Sequence, residues 1–381
     1  MAVDFSKIPS PCFVIDESLL RKNLEIISTI RDQTGIEVLL ALKGFAMWSV
    51  FPVINEYGFN CAAASSFNEA KLAFEEMGLP AHTYCPAYST KEFENISKIS
   101  SHITFNSLSQ FEKFYSEIKK LKSQISFGLR VNPEFSEVKT SLYNPCSPGS
   151  RLGILASQLG KSLPEEIEGL HFHTLCESIS YDLEKTLTAF EKNFGHLLSQ
   201  IRWINMGGGH LITRKNYNRD HLIELLQNFK NRYPHLQVIL EPGAAFAWET
   251  GYLVSTVLDI VENSGIKTAM LDISFTAHMP DCLEMPYKPM VLNATDEIEG
   301  KPTYRLGGNS CLSGDFMGNW SFNRELKIGE KIVFNDMIHY TMVKTTTFNG
   351  VQHPSIGIWN DKTGFRLVRE FGYEDYKNRL S

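Results

Sequence analysis

The chain has 381 residues, 43% of them hydrophobic and 21% charged, with 16 prolines and 26 glycines, a balance that excludes a disordered, fibrous or collagen-like chain. Its formal charge of -6, with no Lys/Arg-rich cluster to offset it, argues against a nucleic-acid partner and is compatible with a cationic substrate. The length exceeds one ordinary core, so two domains, or one large barrel with an appendage, are expected.

Cysteines 12, 61, 85, 146, 176, 282 and 311 are an odd, scattered set with no CxxC pair, the usage of a reducing compartment. Residues 1–11 carry Asp4 and Lys7 and no apolar stretch of signal-peptide type. The most apolar long window, 36–54, is interrupted by Lys43 and Pro52, so no membrane span and no membrane partner are expected. A cytoplasmic location follows as the expectation.

In chain order, a short strand at Cys12–Asp16 precedes a helix over 17–33, where Leu20, Leu24, Ile27 and Ile30 share one face and Asp16 is placed to cap the start. Gly35 ends that helix. Eight apolar runs then read as strands: 37–42, 60–64, 82–85, 103–105, 126–131, 169–173, 203–206 and 237–241. Helical stretches separate them, such as 66–77, which opens on the capping pattern Ser66-Phe67-Asn68-Glu69 and closes at Gly78. Eight alternating β/α units predict a parallel (β/α)8 barrel over residues 34–246. Beyond Gly251 the rhythm changes to strands and turns, at 252–261, 331–334, 342–347 and 355–359, so a second, mostly β domain is expected, formed by residues 1–33 and 247–381. The long Pro- and Gly-containing stretch 132–151 reads as a functional loop at the barrel top.

An active site in such a barrel lies at the carboxyl ends of its strands, and those positions are unusually polar here. The first run ends in Lys43; an amine at an apolar mouth is desolvated toward nucleophilic reactivity, although a lysine after a strand is ordinarily solvated or salt-bridged. Arg130 ends the fifth strand, and His171 and His173 end the sixth on one face. His171 reads as a core histidine, whereas His173 is placed to stack on a flat ring. No acidic or cysteine group of ligand spacing accompanies the pair, so no metal is expected. Gly207-Gly208-Gly209 follow the seventh strand; they read either as a phosphate-binding nest or as a tight turn. Glu241 ends the eighth, its plain alternative being a salt bridge. In the β-rich part, Cys311 sits in the polar, Gly-rich loop 307–315, where core packing is not expected.

With these residues in view, the sequence resembles the pyridoxal-phosphate decarboxylases of alanine-racemase-like fold, the group that includes the ornithine, arginine and diaminopimelate enzymes. It is similar in particular to those acting on carboxynorspermidine and carboxyspermidine. The resemblance runs from Pro9-Ser10-Pro11 to the tail. It is carried by Leu39-Leu40-Ala41-Leu42-Lys43, Gly169-Leu170-His171-Phe172-His173-Thr174, Gly207-Gly208-Gly209-His210, His278-Met279-Pro280-Asp281, Leu283-Glu284-Met285-Pro286-Tyr287, and the stretch from Asp336-Met337-Ile338-His339-Tyr340 through Lys344 to Thr347-Phe348-Asn349-Gly350. It implies that Lys43 binds the aldehyde of pyridoxal 5'-phosphate, that His173 stacks on its ring and that Glu241 pairs with the ring nitrogen. It further implies that Gly207, Gly208, Gly209 and Tyr340 hold the phosphate, with Arg130 close by. Cys311 would return a proton to the α-carbon across the interface of a homodimer with shared active sites.

Three departures bear on the substrate. Ala244 follows Glu-Pro-Gly where many relatives have Arg, Asn60 replaces a frequent Asp, and Leu312 follows Cys311 where the ornithine and diaminopimelate enzymes place an acid. The apolar Leu312 favours a longer, polyamine-like substrate over ornithine or diaminopimelate; arginine is a further alternative within the family. Asp281, Glu284 and Asp315 are the candidate acids for its distal amines. An amino-acid racemase and a non-catalytic protein on the same scaffold are the other readings; retention of both Lys43 and Cys311 speaks against the last.

Overall fold

Strand β1 (Cys12–Asp16) runs directly into the helix Glu17–Thr34. Asp16 Oδ1 accepts the N–H groups of Ser18 (2.8 Å) and Leu19 (3.3 Å), satisfying donors that a helix start leaves without partners. Leu20, Leu24, Ile27 and Ile30 are buried along one face. The helix stops at Gly35, whose φ of 62° belongs to the left-handed region. The computed structural model describes residues 3–121 and 124–381, and the chain divides into two units, Asn23–Phe246 and Met1–Lys22 with Ala247–Ser381.

In the first unit the strands are β2 (Glu37–Val38), β3 (Leu40–Ala41), β4 (Ala62–Ala64), β5 (Ala81–Tyr84), β6 (Ser100–Phe105), β7 (Ser126–Arg130), β8 (Ile167–His171), β9 (Trp203–Asn205) and β10 (Gln237–Leu240). They form one parallel sheet in the order β2-β10-β9-β8-β7-β6-β5-β4-β3. β2 and β3 are halves of one strand interrupted at Leu39. One half pairs with β10 and the other with β4, while Leu39 N–H donates to Leu240 O (2.9 Å) and Leu42 N–H to Ala63 O (3.1 Å). The two ends of the sheet thus meet in a single segment, and the result is the eight-stranded barrel that the apolar runs predict.

Trp203 plugs the interior. A β-carbon on Gly169 would lie 2.0 Å from its ring and one on Gly128 2.3 Å away, while its Nε1–H donates to Ser126 Oγ at 2.8 Å. The indole therefore occupies space that two glycines leave open, and it packs with Leu39, Ala63 and Ile239. On the outside the helix Phe67–Glu76 begins as expected, with Ser66 Oγ accepting the N–H of Glu69 at 3.2 Å. Glu69 reaches one residue further back than a capping box requires, to the N–H of Ser65 at 2.6 Å. One crossover departs from the alternating pattern: between β7 and β8 the chain forms only the 3₁₀ turns Ser141–Tyr143 and Ala156–Gln158. The expected loop 132–151 is therefore part of a longer crossover that contains no α-helix.

The second unit is mostly sheet. Its further strands are β11 (Gly251–Asn263), β12 (Ile266–Leu271), β13 (Ala294–Thr295), β14 (Thr303–Gly307), β15 (Phe316–Phe322), β16 (Lys331–Asn335), β17 (Ser355–Asn360) and β18 (Gly364–Arg369). Their order is β13-β15-β14-β12-β11-β1-β17-β18, with β16 on β11. β1 is central, antiparallel to β11 and parallel to β17, and Cys12, Val14, Val254, Val333 and Trp359 pack together around Ile8. The strand expected at 342–347 is not one. Tyr340–Val343 is a short helix, Lys344 N–H turns back to Thr341 O (3.3 Å) and Thr346 N–H goes to Ala277 O (2.8 Å); the β-branched run directs its N–H groups to a local turn and to a distant carbonyl, and not to a strand ladder. Among the described residues, no helix is long and apolar enough to cross a membrane.

Candidate active site

The barrel fixes the strand ends, and with them a set of polar side chains. Lys43 lies two residues beyond β3, Arg130 ends β7, His173 lies two beyond β8, Gly207 two beyond β9, and Glu241 directly follows β10. All five therefore sit at the carboxyl end of the barrel.

Glu241 is the best held of them. Its Oε1 accepts the Asn205 side-chain amide at 2.6 Å, and Asn205 Oδ1 in turn accepts Gly207 N–H at 2.8 Å. Its Oε2 lies 3.6 Å from His171 Nε2, too far for a good hydrogen bond. Burial pushes the carboxyl up to about 7, against the pull of the Asn205 hydrogen bond and the charges of Arg130 and Lys43. His171 is neutral: burial first, then Arg130, depress its pKa far below the usual imidazole value. Neither of its ring nitrogens finds a hydrogen-bond partner.

His173 is also neutral, through burial and then through the charges of Lys43 and Arg130. Its Nδ1 accepts Gly208 N–H at 2.9 Å, which puts the ring proton on Nε2. Arg130 is buried, donates to His173 O at 3.1 Å and lies 4.6 Å above the Tyr84 ring, so it braces the segment carrying His173. One donor atom each of His171, His173 and Glu241 falls within 4.8 Å of the others. Glu241 is the acidic companion of the two histidines that spacing along the chain does not show.

Lys43 is reachable by solvent, yet barrel residues surround it. Desolvation first, and Arg130 second, lower its pKa, while Cys176, Glu69 and Glu241 oppose them. A larger share of its amine is therefore uncharged near neutrality than for a surface lysine, as a nucleophilic amine requires.

The three glycines do more than clear space. Gly207 and Gly209 have φ of 71° and 89°, and a β-carbon at Gly208 would lie 2.1 Å from Glu241 O and one at Gly209 2.1 Å from Leu175 O. Two of their N–H groups go to Asn205 and His173. The run is thus a joint that fixes Glu241 and His173, and a nest of three free glycine amides is not what forms.

In the second unit Cys311 is exposed on its loop, and the following Leu312 is exposed as well. Tyr340 opens the short helix after β16. Asp315 is a correction to the sequence reading. It is buried, and its carboxylate accepts Thr276 N–H (3.0 Å), Ser310 N–H (3.1 Å) and Ser310 O–H (2.7 Å), so its hydrogen bonds go to bracing the Cys311 loop and not to an open, substrate-facing surface. Asp281 and Glu284 come together around one cation: Lys344 Nζ lies 2.8 Å from Asp281 Oδ1 and also contacts Glu284 Oε2. Asn60 is exposed just before β4, on the entry side of the strand; its difference from Asp does not bear on the barrel mouth. Sequence reasoning assigned no role to Asn205 or Tyr84, although both stand at strand ends.

The residues fit pyridoxal phosphate. A buried carboxyl has one oxygen fixed by an amide and the other, among the described residues, without a hydrogen-bond donor, as a ring N–H requires, and a desolvated amine stands at the same mouth. The comparisons with known proteins agree. The family model of the pyridoxal-dependent decarboxylase C-terminal sheet domain matches residues 12–338. The chain is 52% identical to the carboxyaminopropylagmatine decarboxylase of Synechocystis sp., over 98% of this chain and 96% of that one. It is 45% identical to the carboxynorspermidine/carboxyspermidine decarboxylase of Campylobacter jejuni, over 98% and 99%. The crystal structure of the Campylobacter jejuni carboxynorspermidine decarboxylase complexed with norspermidine superposes with a TM-score of 0.90 at 44% identity, covering 98% of this chain and all of that one. On the fold, the strand-end residues and these relatives together, the chain belongs to the pyridoxal-dependent decarboxylases, lyases that take pyridoxal phosphate as cofactor.

Proposed function

We propose that this enzyme decarboxylates carboxynorspermidine and carboxyspermidine to norspermidine and spermidine, as a step of polyamine biosynthesis. The observation that carries the chemistry is the desolvated Lys43 amine at the same barrel end as a buried carboxyl with an unfilled oxygen. The substrate is supported by the likeness to the Campylobacter jejuni enzyme, whose crystal structure holds norspermidine, and by the exposed, apolar Leu312 after Cys311.

Pyridoxal phosphate, when bound, supplies a protonated ring that accepts the electron pair left as the carboxylate departs. The chain supplies the rest. Lys43, its amine shifted by desolvation toward the uncharged form, would hold the cofactor through its aldehyde, and Glu241, held by Asn205, would face the ring nitrogen. His173, fixed by Gly208, presents its ring face. Arg130 secures the His173 backbone, and Gly209 and Tyr340 hold phosphate. Cys311 delivers a proton to the α-carbon. Asp281 and Glu284 receive the distal ammonium groups in exchange for Lys344. We take residues 34–246 as the cofactor-binding barrel and 1–33 with 247–381 as the domain that contributes Cys311. We further infer a homodimer in which Cys311 of one copy serves Lys43 of the other, and a cytoplasmic enzyme, in keeping with seven free cysteines.

A second substrate, carboxyaminopropylagmatine, is favoured by the 52% identity to the Synechocystis enzyme. It shares the carboxylated head and differs at the far end, where a guanidinium replaces an ammonium. Carbon dioxide release from all three compounds, with ornithine and diaminopimelate as controls, is the test. We expect kcat/KM highest for the two carboxylated triamines; a preference for the guanidino compound transfers the assignment to the second reading, and a preference for ornithine or diaminopimelate overturns both. The purified protein should also show a cofactor absorbance band that Lys43→Ala abolishes. A wild type that stays colourless after incubation with cofactor counts against Lys43 as its anchor.

A further inference from the structure

Five consecutive backbone N–H groups in the loop that carries Cys311 are committed. Gly308 donates to Asp315 O and Asn309 to Ile273 O, both at 2.7 Å. Ser310 donates to Asp315 Oδ2 at 3.1 Å, Cys311 to Asn349 Oδ1 at 2.7 Å and Leu312 to Ser310 Oγ at 3.3 Å. The thiol itself stays exposed. Among these acceptors, Asn349 alone is a side chain from outside the loop, 38 residues further along the chain.

Asn349 is unusual in its own backbone. It sits at φ 55°, ψ 9° inside the turn Phe348–Gly350, in the left-handed region that side chains other than Gly, Asn and Asp rarely enter. That turn is anchored close by, where Thr346 N–H donates to Ala277 O (2.8 Å) and Gly350 N–H to Thr347 O (3.0 Å). The left-handed bend turns the Asn349 amide toward the loop, and the resulting hydrogen bond falls on the N–H of the cysteine itself. A backbone conformation that disfavours most residues, held where its side chain grips a second segment, is the pattern of a positioning device.

We propose that Asn349 is a positioning residue for the Cys311 thiol: it pins the Cys311 backbone N–H so that the thiol meets the α-carbon at a fixed distance and angle. This rests on Cys311 being the proton donor. Misplacing a reacting group by about 1 Å costs on the order of a hundredfold in rate; loss of one of five loop anchors should cost less, roughly tenfold in kcat.

The test uses the full-length, cofactor-loaded enzyme and three variants. Asn349→Gly keeps the left-handed backbone and removes the acceptor, Asn349→Asp keeps both, and Cys311→Ala is the reference. Asn349→Gly should lower kcat for carboxynorspermidine roughly tenfold while KM, cofactor absorbance and Tm stay at wild-type values. Amide hydrogen exchange across residues 309–313 should rise in that variant, and Asn349→Asp should restore most of kcat. Asn349→Gly with wild-type kcat and exchange, while Cys311→Ala is slowed, overturns the positioning role alone. Asn349→Asp as slow as the glycine variant, or a glycine variant that also loses cofactor and KM, overturns it as well. Cys311→Ala with wild-type kinetics sinks the proton-donor assignment and the positioning role together.

Discussion

Glu241 has two oxygens with different fates, and its titration follows from that. One is tied to Asn205 and the other has no donor, so burial raises the pKa from the carboxylate value of 4.5 to about 7. Between those values the folded chain holds a proton that the unfolded chain has released, so the stability of the cofactor-free protein falls as pH rises through the window. The full penalty, roughly 3 kcal/mol, stands above about pH 7. Glu241→Gln keeps an acceptor for Asn205 and removes the charge; thermal melting of the cofactor-free variant should lie above wild type near pH 8 and match it near pH 5. Equal melting at both would contradict a desolvated carboxyl. The gathering of Lys43, Arg130, His173 and Glu241 at one barrel end was legible residue by residue, because each stands at the end of an apolar run. The Asn205–Glu241 bond was not legible, since it joins residues 36 apart through the pairing of β9 with β10. The bracing role of Asp315 was hidden for a related reason: its bonds to Thr276 and Ser310 form only when the loop closes over it.

At the scale of elements, the barrel interior is set by a fit between one large ring and two absent side chains. Gly169→Ala places a methyl group on the Trp203 ring and should destabilise by roughly 1–3 kcal/mol, as overpacking does, lowering Tm by a few degrees. Trp203→Phe in the same chain should recover part of the loss; a Gly169→Ala protein that melts like wild type would show that the indole moves aside. The strands themselves were readable because parallel barrel strands are short apolar runs closed by polar residues. The run at 342–347 was misread because β-branching describes a side chain's preference, and here a short helix, a turn and the distant Ala277 carbonyl took the backbone hydrogen bonds. The helix-free crossover between β7 and β8 was half visible, as a long Pro- and Gly-containing loop whose full extent composition could not mark.

For the whole molecule, the homodimer with shared active sites inferred above has an arithmetic consequence. Lys43→Ala and Cys311→Ala proteins, each defective alone, should regain about one quarter of wild-type activity when mixed in equal amounts and allowed to exchange subunits, since half the dimers are mixed and each of those has one intact site. No recovery above the sum of the two, with exchange confirmed by mass, would mean that each copy works with its own cysteine. The barrel, for its part, is closed by the segment that leads into Lys43. β2 and β3 contribute only two paired residues each, as few as between β4 and β5 and against four between β6 and β7, so this seam is among the thinnest joints of the cylinder. If Lys43 holds the cofactor as proposed and other residues of the rim grip it too, the small molecule becomes a rivet across that joint. Amides 37–42 should then exchange measurably faster after the cofactor is stripped out than before, and the vitamin would be a fastener for the fold as well as its reagent.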